Sequence, residues 1–592
     1  MSSKERWIYW IFVGAIAVAF IRFAQYWLSF DRRPVNFSGD GLPTVFDIAL
    51  FVTLSIVILL PVFMMTLGFV ITGLLQRPGK MRAPVELPDP ATTRVAFITT
   101  YVPGSEPLDM LSKTLTTMRD VDYPHDTWVL DEGDDNDVRT LCEIIGVHYF
   151  SRKGIARYNE IGSKFSPKSK GGNHNAWYDA HGAQMYDIVA QIDTDFIPRN
   201  DFLTKTLPYF LDPEVAWVGT PQVYGNMDNF VARGAAEQTY GFYGPILKGL
   251  AKIDSTMLIG ANHVIRVAAL KEVGLYNPHL TEDLATGILL HSHGWKSTYV
   301  QEALAIGEGP DTWSTFFKQQ FRWAKGCNDL LFTRTFSAIR GMKPLQGLLY
   351  SWIQMYYLIG AAYGLGLVLM GLYFGFGWEA AKLEVLPFLM AYIPILVVFE
   401  VAFLWAQRFN IRPKVERGLY LRGRILMVAV MPVFLAAFIS AIKDRNKHTE
   451  FEVTPKGGVT TVVTVKKVKK GKNPYKAHLS IVVYTGIILF VGIMSGRTEW
   501  SYIGWALVVF SSTFAIAIRP TWPRILQFGN KQLAEFKHQL EDEFYEQLGA
   551  IRRPFKGSLS ETAYLDHSVL ARSELKTELE FMQLIRTSKS ST

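Results

Sequence analysis

Asp187-Ile188-Val189-Ala190-Gln191-Ile192-Asp193-Thr194-Asp195 reads as a strand that ends in two carboxylates. The run from 188 to 192, with one polar side chain, is too short for a helix and suits a strand buried on both faces. Strand-end acids of an α/β sheet lie where such domains take their ligands. Two carboxylates one residue apart, Asp193 and Asp195, can hold a divalent cation against a diphosphate, because Mg2+ and Mn2+ are hard ions that prefer oxygen. The triplet alone is a weak signal, since most such acids are solvated turn residues. Around it, residues 76–343 are polar and rich in turn residues, with short β-like runs between helical patterns, which predicts an α/β domain.

On both sides of that domain the chain changes character. Uncharged runs long enough to cross about 30 Å of hydrocarbon occupy 48–75, 344–378, 479–496 and 500–518. Residues 7–28 and 385–407 join them despite Arg22 and Glu400, which are expected to snorkel from near a helix end. The charged start before residue 7 resembles a signal peptide, but no small-residue cleavage site follows, which predicts a retained first helix. A mean hydropathy of +0.13 and 49% hydrophobic residues agree with an α-helical membrane protein carrying an inserted soluble domain. The net charge of +8 comes from basic residues beside apolar runs. That suits an anionic membrane surface and does not indicate nucleic acid binding. Cys142 and Cys327 are the only cysteines and lie far apart, so no disulfide framework is expected.

The run 425–442 also has 18 uncharged residues, enough by length for a crossing. Topology argues otherwise. Between Lys443 and Lys476, 10 basic residues face 3 acids, which places this loop in the cytoplasm. The α/β domain is flanked by Arg77, Lys80, Arg82 and Lys343 and goes to the same side. Two crossings between those points keep parity and three break it, so 424–443 is predicted as an interfacial or re-entrant helix bent at Pro432. The expected organisation has two transmembrane helices in 1–76 and a cytoplasmic domain in 77–343. A transmembrane channel domain follows in 344–519, with the interfacial helix 424–443 and a cytoplasmic loop 444–476, and then a cytoplasmic helical tail in 520–592.

Two further clusters carry chemistry. Thr281-Glu282-Asp283 opens a helical stretch over 284–292, where a Thr followed by acids is also an ordinary N-cap. Read as chemistry, Asp283 is a general base that takes a proton from an acceptor hydroxyl. Gln319-Gln320-Phe321-Arg322-Trp323 precedes the third apolar run. On a helix, Gln319, Arg322 and Trp323 share a face. The planar fork of Arg suits pyrophosphate and the Trp ring offers a flat surface to a sugar, although a membrane-interface Trp with a snorkelling Arg has the same pattern.

In this order and between apolar spans, these residues resemble the processive family 2 glycosyltransferases, and among them the cellulose synthase type, over 95–325 and at 451–457. The resemblance rests also on Thr99-Thr100-Tyr101 with Glu106-Pro107, on Val129-Leu130-Asp131-Glu132-Gly133, on Lys170-Gly171-Gly172-Asn173 and on Gly309-Pro310. It implies a GT-A, Rossmann-like domain, Mg2+ (or Mn2+) at Asp193 and Asp195, and Asp283 as catalytic base. It implies substrate contacts at Thr100, Tyr101, Glu106, Asp131, Lys170, Asp193, Glu282, Gln319, Arg322 and Trp323, with Asp131 and Lys170 on the nucleotide and Arg322 on the diphosphate. Phe451-Glu452-Val453-Thr454-Pro455-Lys456-Gly457 looks like the family's F-x-V-T-x-K-G gating loop, which implies that Phe451, Val453, Thr454 and Lys456 lie over the nucleotide.

The chain departs from that pattern at Ile259-Gly260-Ala261-Asn262-His263, where cellulose synthases have Phe-Cys-Gly-Ser near the acceptor. Glu132 is the second acid of its motif, only two apolar runs precede the domain, and no second globular domain of the cyclic-dinucleotide type is apparent. The resemblance therefore implies a synthase of a β-glucan with 1,4, 1,3 or mixed 1,3/1,4 linkage. The implied partners are UDP-glucose, the growing polysaccharide and the lipid bilayer of the plasma membrane, with a homo-oligomer or accessory export proteins left open. Two other readings remain: a non-processive family 2 transferase acting on a lipid acceptor, and a membrane transporter whose acids are caps and turn residues.

Overall fold

The computed structural model describes residues 1–37, 42–77, 85–445 and 474–519. Over these, ten strands are formed in chain order: β1 (Val95–Tyr101), β2 (Asp126–Asp131), β3 (His148–Phe150), β4 (Ile188–Asp193), β5 (Ile197–Pro198), β6 (Val215–Gly219), β7 (Val223–Tyr224), β8 (His263–Arg266), β9 (Lys296–Tyr299) and β10 (Ala305–Gly307). Seven form one sheet in the order β3-β2-β1-β4-β8-β6-β9, and β5-β10-β7 form a small second sheet. The strand read from 188–192 lies at the middle of the large sheet, parallel to β1 and antiparallel to β8. Its apolar residues are buried, as a strand covered on both faces requires.

Register sets the site. Thr100 lies beside Asp193, and Tyr101 beside Asp131, so the carboxyl ends of β1, β2 and β4 finish level with one another. Cys142 and Cys327 are buried free thiols.

Among the described residues, seven helices are long and apolar enough to cross a membrane: Ser3–Trp27, Val45–Gln76, Pro344–Phe376, Val385–Phe409, Leu421–Lys443, Lys476–Met494 and Trp500–Ala517. Six match the expected crossings within a few residues, and the seventh is the segment predicted as interfacial. Ser3–Trp27, with 25 residues, is about 38 Å long at 1.5 Å per residue. Leu421–Lys443 packs against Phe230–Gly241 and Trp313–Leu330 of the α/β domain as well as against Ile359–Phe376. Small residues permit these crossings: a Cβ on Gly234 would lie 2.6 Å from Leu426, and one on Gly360 would lie 2.5 Å from the backbone of Phe434.

Glu400 corrects an expectation. It does not merely snorkel: Arg424 Nη2 donates to both of its carboxylate oxygens, at 2.6 and 2.7 Å, joining Val385–Ala406 to Leu421–Lys443. A carboxylate within an apolar helix is costly to insert, and a paired guanidinium offsets that cost. The expected gating residues Phe451, Val453, Thr454 and Lys456, and the expected helical tail 520–592, lie outside the described residues.

Candidate active site

The turn after β4 sorts its side chains by alternation. Thr194 points back into the core: its Oγ1 donates to Thr100 O, and its carbonyl accepts from Thr114 Oγ1 at 2.6 Å. Asp193 and Asp195 on either side then project into one cavity. The amide of Phe196 closes the turn on Asp193 O at 2.9 Å, and Asp195 Oδ2 accepts the Glu308 amide at 3.3 Å.

Lys170 begins the helix Lys170–Trp177, where Ser169 Oγ caps the amide of Gly172 at 3.1 Å. Its ammonium lies on Asp193 Oδ1 and donates to Gly260 O at 2.6 Å. Burial alone would lower the Lys170 pKa, but Asp193, Glu282 and Asp283 hold it above the ordinary lysine value. Gln191 Nε2 holds the same Gly260 carbonyl at 2.8 Å. A Cβ on Gly260 would lie 3.0 Å from Asp283 Oδ2, so a larger residue there would press on the acid.

Asp283 stands in the first turn of Glu282–Ser292. The simple capping explanation of this acid pair does not hold, because Thr281 makes no side-chain cap and its hydroxyl instead meets His279 Nδ1 at 3.1 Å. Asp283 Oδ1 accepts the Leu284 amide at 2.7 Å. Burial raises the Asp283 pKa above the ordinary aspartate value, opposed by the Leu284 amide, Lys170 and Arg322. Burial and the neighbouring Asp283 charge push Glu282 up to about 7. Two adjacent buried carboxyls titrate as a pair, and a raised proton affinity is what a general base needs near neutral pH.

The helix Trp313–Leu330 presents Gln319, Arg322 and Trp323 to the same cavity, with Gln320 beside them. Arg322 is surrounded by Glu282, Asp283 and Asp193; burial lowers its pKa and the three acids oppose that. Gln319 Oε1 is buried and has no hydrogen-bond partner among the described residues.

The cavity measures about 1210 Å³ and does not stop at the α/β domain. Beyond Trp323 it is lined by Met64 and Phe69 of Val45–Thr72, by Trp352, Tyr356 and Tyr357, by Phe399 and Phe403, and by Met427 and Met431. The Glu400–Arg424 pair faces it too. This volume exceeds the roughly 300–1,000 Å³ of a small-molecule pocket.

Of the expected substrate residues, Thr100, Glu106, Lys170, Asp193, Glu282, Gln319, Arg322 and Trp323 line this cavity, together with Asp195 and Asp283. Tyr101 and Asp131 stand behind its lining. Tyr101 is buried, with its hydroxyl on Glu106 O at 3.2 Å. Asp131 is fully buried and accepts the amides of Gly133 and Asp135, at 2.8 and 2.6 Å, and the Tyr149 hydroxyl at 2.9 Å. Glu132 faces the cavity instead, as do Glu308, Gln222 and Tyr243, none of which was singled out as a site residue. The turn of Asp131 inward onto the amides that follow β2 is what leaves Glu132 on the cavity side.

Residues 188–439 match the family described as Glycosyl transferase family group 2. A cellulose synthase catalytic subunit (UDP-forming) of Dictyostelium discoideum is 32% identical over 191 residues, 31% of this chain and 18% of that protein. The cellulose synthase catalytic subunit (UDP-forming) of Pseudomonas fluorescens strain SBW25 is 27% identical over 391 residues, 64% of this chain and 50% of that protein. The chain thus spans half or less of the length of these curated relatives. Among solved structures, a mannosyltransferase from Pyrobaculum calidifontis in complex with GDP-Man and Mn2+ aligns over 67% of this chain and 99% of its own, at 14% identity and a TM-score of 0.44. Residues 188–439 are thus similar to the glycosyltransferases of family group 2, and apolar helices flank the α/β domain. Over part of its length the chain is similar to cellulose synthase catalytic subunits.

Proposed function

We propose that this protein is a processive, inverting glycosyltransferase that polymerises a β-glucan from UDP-glucose and passes the product through its own membrane helices. The observation that carries this reading is the single cavity joining Asp193, Asp195 and the Glu282–Asp283 pair to the aromatic side chains of the apolar helices. A transferase that adds one sugar needs a pocket for one acceptor. A chain held during repeated addition needs a long, wet path with flat apolar walls.

Asp283 accepts the proton of the acceptor hydroxyl while that oxygen forms its bond to the anomeric carbon. The bond from this carbon to the diphosphate oxygen breaks, and its electron pair leaves with UDP. One in-line displacement inverts the anomeric centre. Arg322 and Lys170 supply positive charge toward the diphosphate. Trp323 offers its ring to the terminal sugar, and the buried Gln319 Oε1 is an acceptor that a sugar hydroxyl satisfies.

Asp193 and Asp195 fit a divalent cation. Both line the cavity and offer hard oxygen ligands, and the Lys170 ammonium on Asp193 marks a place where positive charge is held. Among the described residues no group of three or more His, Cys, Asp or Glu is set for a metal, so an ion on Asp193 and Asp195 would need its remaining ligands from phosphate oxygens and water. When bound, Mg2+ or Mn2+ supplies charge neutralisation at the leaving diphosphate.

In this reading the α/β domain lies on the cytoplasmic face of the plasma membrane. Leu421–Lys443 runs along the interface, supported by its packing on Phe230–Gly241 and Trp313–Leu330. Linkage follows from how Ile259–His263 and Trp323 hold the acceptor ring.

Trp323→Ala tests the acceptor half of the site. Elongation of a β-glucan primer is expected to fall about 100-fold while donor hydrolysis to UDP and glucose falls no more than about threefold, since the ring stacks on the acceptor and not on the nucleotide. Equal loss of both rates in a product-release assay would remove Trp323 from the acceptor site.

A further inference from the structure

Arg152 follows β3 and has a side chain with no solvent exposure, so it touches no substrate itself. Its guanidinium is nevertheless the junction of two cavity walls. Nε and Nη2 donate to the Glu132 carboxylate, Nη2 at 2.6 Å. Nη1 donates to the carbonyls of Tyr158, Phe165 and Ser166, at 3.2, 2.7 and 3.0 Å, and Nη2 also reaches Ser169 O at 3.2 Å. Residues 151–169 contain little regular structure beyond the short turn Ala156–Asn159, so the carbonyls of Tyr158, Phe165 and Ser166 have no sheet or long helix to satisfy them, while Ser169 O also accepts the Asn173 amide at 3.0 Å.

Both segments held by Arg152 border the cavity. Glu132 lines the cavity on one side, and Lys168, Ser169 and Lys170 line it on the other. Ser169 also caps the helix that aims Lys170 at Asp193. The third position of that helix is shaped by the same contact, because a Cβ on Gly172 would lie 2.4 Å from Ser166 O and 2.9 Å from Arg152 Nη1.

We propose that Arg152 is a positioning residue for nucleotide-sugar binding: it fixes the separation between Glu132 and the 168–170 edge, and it offsets the Glu132 charge where a diphosphate is to be held. The proposal rests on the donor-site reading above. A lysine at 152 keeps the charge but has three donors on a single nitrogen, which cannot serve a carboxylate and four carbonyls arranged around a planar fork. The loss then falls on binding, before chemistry begins.

The test uses the purified full-length chain with Mg2+ and UDP-glucose, comparing wild type with Arg152→Lys and Glu132→Gln at matched thermal midpoints. For Arg152→Lys the KM for UDP-glucose is expected to rise about tenfold with kcat within about threefold, and for Glu132→Gln about threefold with kcat unchanged, the pattern of lost uniform binding. The affinity for UDP alone, titrated calorimetrically, should weaken in the same proportion. If Arg152→Lys does not fold, Glu132→Gln decides: a raised KM sustains the proposal and an unchanged KM overturns it. Unchanged KM in both variants, or a fall in kcat alone, also overturns it. Failure of the wild type to bind UDP or UDP-glucose overturns the donor-site reading instead.

Discussion

Asp283→Asn is expected to lower polymer synthesis by about 10³-fold or more while UDP-glucose affinity stays within about threefold, because the amide keeps the shape of the side chain but cannot accept the acceptor proton. The geometry favours this split. Asp283 is held by the Leu284 amide and faces Gly260 and Arg322, so the asparagine can keep the same place. The wild-type pH profile supplies a second check. Burial raises the Asp283 pKa above its ordinary value and pushes its neighbour Glu282 up to about 7. As pH falls, the carboxylate needed for catalysis is therefore lost at a pH where an ordinary aspartate remains ionised, and the acidic limb of kcat lies above the usual aspartate range. Measuring elongation and donor binding on the same preparations separates the roles. Near wild-type elongation by Asp283→Asn would remove this residue as base.

Asp195→Ala is expected to reduce turnover by about 100-fold at saturating donor and to raise the Mg2+ concentration needed for half-maximal rate by about tenfold, since one of two hard ligands is lost. Asp193→Ala has a mixed outcome by comparison, because it also releases the Lys170 ammonium. EDTA should abolish wild-type turnover and added Mg2+ or Mn2+ should restore it. Turnover indifferent to EDTA, with Asp195→Ala as active as wild type, would end the metal assignment.

What the sequence made legible follows local rules. The strand at 188–193, the turn that projects Asp193 and Asp195, the helix opened by Glu282 and Asp283, and the shared face of Gln319, Arg322 and Trp323 each depend on a few neighbouring residues. The apolar runs were legible for the same reason. What escaped was non-local. Glu400 finds Arg424 across a helix pair, 24 positions away, and only the tertiary fold shows that both face the cavity. Arg152 gathers Glu132 and carbonyls as far as Ser169, and a lone arginine in an irregular loop carries no pattern that foretells it. Asp131 and Glu132 are adjacent, yet the first turns inward onto the amides of its own turn and the second outward. The choice between them is made by the bend after β2, which motif matching does not see.

The central claim is that one chain both polymerises and exports. Sealed proteoliposomes containing only this protein, with the α/β domain outward, can be given radiolabelled UDP-glucose and Mg2+ and then treated with linkage-specific β-glucanases before and after detergent. The expected result is a high-molecular-mass product that resists the enzymes until detergent opens the vesicles and is then digested by one of them. A product limited to a single sugar on lipid, or a polymer fully digested from outside before detergent is added, would contradict it.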